Sequence, residues 1–179
     1  MQSGYLGEVS LTGPRTYSAS IIGAVPALLP TDIFTLTGAA NIIVKVTRVL
    51  ITGSRSANAT SDFVFVKRST ANTLGTPSVR AAVPYDSNSV AASAICQAYT
   101  ANPTLGALVG NLLATRLFLT GVSGTPPMPL DIAFGNGIRP STPVILRGAN
   151  EVFAINLNGV TITAPASLDF TIEWTEEPT

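Results

Sequence analysis

From residue 32 onward, apolar and polar side chains alternate with a period of two, in short runs closed by glycine, proline or Ser/Thr/Asn clusters. The clearest run is the last one: Leu168, Phe170, Ile172 and Trp174 fall on one side, and Asp169, Thr171 and Glu173 on the other. Alternation in aromatic and β-branched residue types predicts a strand with one buried and one solvated face. Similar runs predict strands at 32–38 (DIFTLTG), 41–53 (NIIVKVTRVLITG), 62–68 (DFVFVKR), 112–121, 129–135, 144–148 and 151–159. The segment 90–100 (VAASAICQAYT) is mixed: its alanines favour helix, while its place between strands favours sheet, and a strand is expected.

Two runs depart from simple alternation. In 41–53, Ile42, Val44, Val46 and Leu50 share a face that Arg48 interrupts, and Ile43, Lys45, Thr47, Val49 and Ile51 form the other, so one end looks buried on both faces. In 62–68, Phe63 and Phe65 oppose Val64 and Val66. Two-sided apolarity requires a neighbour on each face: a second sheet on one side, and an arm or another subunit on the other. Many short strands at roughly ten-residue spacing, with no strong helix signal, predict an all-β antiparallel sandwich, and the strand count fits a jelly roll.

Residues 1–30 behave differently. They hold Gly4, Gly7, Gly13, Pro14, Gly23, Pro26 and Pro30, and no run alternates for long. They read as an extended N-terminal arm, with a short strand near 17–22, or more plainly as a first strand plus a loop. The domain division adopted is an arm over 1–30 and a sandwich over 31–179. The apolar residues Ile21, Ile22, Val25, Leu28 and Leu29 should not float free in water, which makes them the candidate partner-binding residues. The polar stretches 69–88 and 101–111 are long for a compact domain, and such loops are functional or covered. TANTLG at 70–75 and TANPTLG at 100–106 echo each other as similar loop chemistry.

Composition narrows the function. The chain has 179 residues, room for one well-buried core. Lys plus Arg is 10 and Asp plus Glu is 10, so there is no net field of the kind that drives nucleic-acid binding. Charged residues are 11% of the chain, against roughly 25% in ordinary soluble domains. Either the surface is neutral and Ser/Thr/Asn-rich, or other subunits cover much of it. No run is long and apolar enough to span a bilayer, and the first ten residues, MQSGYLGEVS, do not read as a secretory leader. The single cysteine, Cys96, lies in an apolar context and reads as a small buried hydrophobe. Histidine is absent, which removes the usual general base and the commonest zinc ligand. No acid pair, calcium loop or phosphate-binding glycine loop stands out. No catalytic, cofactor-binding or metal-binding residue is expected, and the chain is read as a non-enzyme.

Several blocks carry a family resemblance: PTDIFTLTG (30–38), VTRVLITG (46–53), VKRSTANTLGT (66–76), VPYDSN (83–88), YTANPTLGALVG (99–110), and VILRGANEVFAINLNGVTI through LDFTIEWTEE. Across about 30–177 the chain resembles a group of small virion-associated proteins encoded in tailed-bacteriophage genomes and prophages. The resemblance implies a structural component of a phage particle, assembled in the host cytoplasm. It transfers no functional residue. The expectation is a capsid decoration (cement) protein, self-associated as a homotrimer and bound to the major capsid protein or another virion protein. The alternative is a head-fibre, tail or baseplate module that binds a host-surface glycan.

Overall fold

The computed structural model describes residues 13–121, 128–135, 142–162 and 166–179. Among them the chain forms twelve strands and no helix: β1 (Arg15–Ala24), β2 (Asp32–Thr37), β3 (Ile42–Arg55), β4 (Ala59–Arg68), β5 (Pro77–Arg80), β6 (Val83–Pro84), β7 (Ile95–Tyr99), β8 (Leu108–Leu119), β9 (Leu130–Ala133), β10 (Val144–Arg147), β11 (Val152–Asn156) and β12 (Ala166–Pro178). They make two six-stranded antiparallel sheets. Sheet A runs β10-β3-β12-β1-β6, with β9 also paired to β3; sheet B runs β5-β7-β2-β11-β4-β8. The sheets pack face to face as a β-sandwich. Segment 90–100 supplies strand β7, as expected.

Alternation determines which side chains enter the core. Along β12, Leu168, Phe170, Ile172 and Trp174 are all buried beside Tyr17 of β1. Phe34, Phe63, Phe65 and Phe153 come from sheet B. Phe34 stacks on Phe170 across the sandwich with ring centroids 5.5 Å apart, and Phe65 stacks on Phe153 at 6.1 Å. Large aromatic side chains of this kind dominate core energetics. Cys96 sits in the same core.

The mixed faces of β3 have a simpler cause than burial on both sides. Glu173 is opposite Arg48, but its neighbour Trp174 is opposite Val46, so Thr47 is an extra residue in a β-bulge. The bulge reverses the parity. Val44 and Val46 point into the core before it, and Val49 and Ile51 after it. Leu50 is only half-buried, so the expected face of Ile42, Val44, Val46 and Leu50 breaks at Thr47.

Of the arm expected over 1–30, residues 1–12 lie outside the described residues. Residues 15–24 are strand β1, held between β12 and β6. Its alternation was hidden by small residues: Tyr17 and Ala19 are buried, while Ser18 and Ser20 face outward. Over the described part of this stretch the plainer expectation, a first strand plus a loop, fits: β1 lies in the sheet and the connection 25–31 leaves it.

The link from sheet A to sheet B is pinned by buried polar groups. The Glu176 carboxylate is 5% exposed and accepts from Trp174 Nε1 at 3.0 Å and from the backbone N–H of Ser93 and Ala94, each at 2.9 Å. Tyr17 Oη donates to the Val90 carbonyl at 2.9 Å.

Phe170→Ala is expected to cost about 3–5 kcal/mol in urea unfolding, the usual range for deleting a buried ring. A loss below about 1 kcal/mol would contradict the placing of this ring between the sheets.

Candidate functional site

The apolar outer side of β4 is covered by the chain itself. Val64, Val66, Val152 and Ala154 form a second small core on the outer face of sheet B, with Ala71 packed on it. The cover is a pair of straps. Residues 69–76 run from β4 to β5 and residues 100–107 from β7 to β8, so they cross sheet B in opposite directions.

The two straps are the echoed sequences, and they bind each other. Thr73 and Thr104 exchange backbone hydrogen bonds of 3.0 and 2.7 Å. Ser69 N donates to the Ala107 carbonyl at 2.9 Å, and Thr100 N to the Thr76 carbonyl at 3.1 Å. Each motif's glycine sits against the start of the other. A Cβ on Gly75 would lie 2.8 Å from the Ala101 carbonyl oxygen, and a Cβ on Gly106 would collide with the Thr70 carbonyl. The repeat is therefore structural: similar sequence builds two similar halves of one clasp.

A buried ion pair holds the clasp to the sheet. Asp32 is fully buried and Arg68 is 4% exposed. Arg68 Nε and Nη2 reach the two Asp32 oxygens at 2.6 and 2.8 Å. Asn72 Nδ2 and Asn156 Nδ2 donate to the same carboxylate at 2.8 and 2.7 Å. Arg68 Nη1 also donates to the Gly106 carbonyl at 3.0 Å, and Gly106 N donates to Asn72 Oδ1 at 2.9 Å. β4, β11 and the first strap thus converge on one carboxylate, and the second strap is tied to it through Arg68 and Asn72.

Asn102, in the second strap, holds the connection that follows β1. Its Nδ2 donates to the carbonyls of Leu28 and Leu29 at 3.2 and 3.0 Å, and its Oδ1 accepts from Thr31 N at 3.1 Å. Four exposed leucines lie in the two straps and in this connection. Leu28 is 75% exposed, Leu29 58%, Leu74 78% and Leu105 41%. Leu29 and Leu74 have φ of 50° and 58°, in the left-handed region. The other non-glycine residues described there are Asn41 and Asn158, a residue type that tolerates this conformation. A leucine pays both ways at such a position: its backbone is strained and its side chain meets water.

Of the sequence-predicted partner-binding residues, Leu28 and Leu29 belong to this patch. Ile22 and Val25 are exposed farther back along the same chain segment. Ile21 is half-buried against the main core, where it serves packing. Leu74 and Leu105 escaped the sequence reading; the available signal was a leucine before glycine in each of two otherwise polar, echoed loops.

The outer face of sheet A is different in kind. It carries Thr47, Thr171, Thr175, Lys45, Arg48, Glu173 and Glu177, and its charges pair with one another. Arg48 forks onto Asp131 at 2.9 and 2.8 Å and touches Glu173 at 3.2 Å. That guanidinium holds the Asp131 carboxyl below its ordinary range. Among the described residues no group of three or more His, Cys, Asp or Glu could hold a metal ion. Comparison with protein-family models, curated proteins and solved structures finds no match.

Arg68→Ala is expected to destabilise the fold by about 3–5 kcal/mol, because it leaves the Asp32 carboxylate buried without its cation. Leu105→Ser, at the surface of the clasp, should stay within about 1 kcal/mol of the parent. Denaturant unfolding of the two variants checks both, and equal losses would contradict the clasp described above.

Proposed function

We propose that this protein is a structural component of a tailed-phage virion, a decoration protein that binds the outside of the head and stabilises it. The observation that carries the reading is the pair Leu29 and Leu74, both exposed and both in a left-handed backbone. Neither burial nor backbone preference accounts for them, and strain kept at a surface position is a mark of function. They stand with Leu28 and Leu105 on a clasp that the Asp32–Arg68 pair makes rigid. A fixed apolar patch on a chain poor in charge suits docking to a protein surface. Each apolar contact is modest, at about 25 cal/mol per Å2 buried, and many copies on one shell add by multivalency.

The strand order supports the same reading. With β5, β6, β7 and β9 set aside, β1-β12-β3-β10 face β2-β11-β4-β8. Successive strands of that eight alternate between sheets except at β4 and β8, which are neighbours in sheet B, and β11 and β12 return beside β2 and β1; we read this order as a jelly roll, an architecture frequent in viral capsid proteins. The family resemblance over 30–177 points the same way.

A second reading, a fibre, tail or baseplate module that binds a host glycan, draws on an open groove of about 570 Å3 lined by Arg15, Thr16, Tyr85, Asp86, Asn88 and Ser89. An aromatic ring beside Asp and Asn is chemistry that suits sugar hydroxyls.

Leu29→Asn and Leu74→Asn are expected to raise the stability of the free protein, by about 0.5–1 kcal/mol each, through relief of left-handed strain, while weakening its attachment to phage heads. Thermal unfolding and co-sedimentation with heads stripped of this chain measure the two effects. Unchanged attachment would overturn the docking role of the patch. A stained gel of purified virions separates the two readings: several hundred copies per particle fit decoration, and a few dozen or fewer fit the glycan-binding module.

A further inference from the structure

We infer that β8 is a self-association edge, and that two copies of this chain pair their β8 strands antiparallel about a two-fold axis, joining their sheets B into one. The inference concerns the free protein and does not rest on the virion reading.

β8 ends sheet B, and among the described residues its far edge has no ladder partner. It is 12 residues long, about 40 Å of backbone with one row of N–H and C=O groups unclaimed. Both faces are also partly bare, although Leu117 and Leu119 at its end pack into the core. Leu113 lies on the core side opposite Phe65, yet is 40% exposed, and Phe118 on the outer side is 53% exposed. Leu108, Val109 and Leu112 add exposures of 57%, 59% and 44%.

Exposed edges are normally kept short or guarded by charge and proline. The other edge strands here follow that rule. β5 has four residues and begins with Pro77, β6 has two and ends with Pro84, and β9 and β10 have four each. β8 has neither proline nor lysine, and its one charge, Arg116, bonds Asp62 of its own chain at 2.9 Å. Two bulges in the ladder with β4 bend its first part, and Leu113–Leu119 runs regularly. β8 is thus the long unguarded edge of the described structure.

The contact is large enough for a second copy. With roughly 150–250 Å2 per large side chain, those five exposures leave on the order of 500 Å2 of surface on each copy, so about 1,000 Å2 across a two-fold contact, where specific interfaces begin. Charge locates the axis. Centred on Leu113, in the middle of the strand, the two Arg116 side chains lie about 20 Å apart, beyond the Debye length. Centred on Arg116, like charges would face each other, which destabilises a strand pair. A two-fold contact is also self-complementary, whereas a three-fold ring would need β8 to pair with a different edge, and the others have four residues or fewer. The two-fold assembly proposed here therefore differs from the trimer expected from sequence.

Light scattering on the full chain should give a two-copy mass, and Leu112→Lys combined with Phe118→Lys should give one copy with unchanged circular dichroism. Because charged substitutions can also disturb folding, cysteine placement gives a second measurement. Leu113→Cys should form a covalent dimer on mild oxidation, since facing residues sit about 4.5–5.5 Å apart between Cα atoms, within disulfide reach. Leu108→Cys should not, because its copies would lie about 34 Å apart. The native Cys96 does not interfere: it is 1% exposed, and burial pushes its thiol up to about 12. A one-copy or three-copy mass for the unmodified chain, or equal cross-linking at the two positions, would overturn the proposal.

Discussion

A carboxylate taken wholly out of water must find donors for its oxygens, and Asp32 finds them on three separate pieces of the chain. Arg68 reaches it from β4, Asn156 from β11 and Asn72 from the first strap. The outer side of sheet B depends on this arrangement. With the strap held down, Val64, Val66, Val152 and Ala154 are dry. With the first strap in place, the second can pair to it, and Asn102 can hold the connection that carries Leu28 and Leu29. A buried ion pair is weak support for net stability; its role here is to fix one position for loops that would otherwise have many.

The result is a molecule with two unlike outer faces. Sheet A presents mostly Thr, Ser and mutually paired charges, with Ile22 beside Leu50 as a small apolar spot. Sheet B presents a rigid clasp with leucines on its water side and a long bare edge strand beside it. The second strap leads directly from Leu105 into β8 at Leu108, so patch and edge are continuous in the chain. The proposed attachment face and the proposed pairing edge are compatible, because the first lies on top of the sheet and the second along its rim.

The sandwich was legible in the sequence because its strands obey alternation, and β12 does so along its whole length. β3 was legible only in part: one inserted residue at Thr47 exchanges the faces, and a period-two reading spreads that shift over both. β1 was obscured by Ala19, Ser18 and Ser20, whose small side chains blur the contrast between inside and outside. The exposure of Leu28 and Leu29 followed from their place in a stretch without alternation. The clasp did not follow, because Asp32 and Arg68 look like ordinary solvated strand ends, and only the fold brings them together. The echo of 70–75 in 100–106 was visible, but its meaning lies in the pairing of the two segments, which a linear reading does not contain.

The central claim is that this protein works through the leucine face of its clasp. Hydrogen–deuterium exchange of the chain bound to phage heads, compared with the free chain, tests it directly. The account predicts added protection over 25–31, 70–76 and 100–107, with the outer face of sheet A unchanged. Protection confined to the polar face around Thr47, Thr171 and Glu173, with the clasp exchanging as in the free protein, would contradict it.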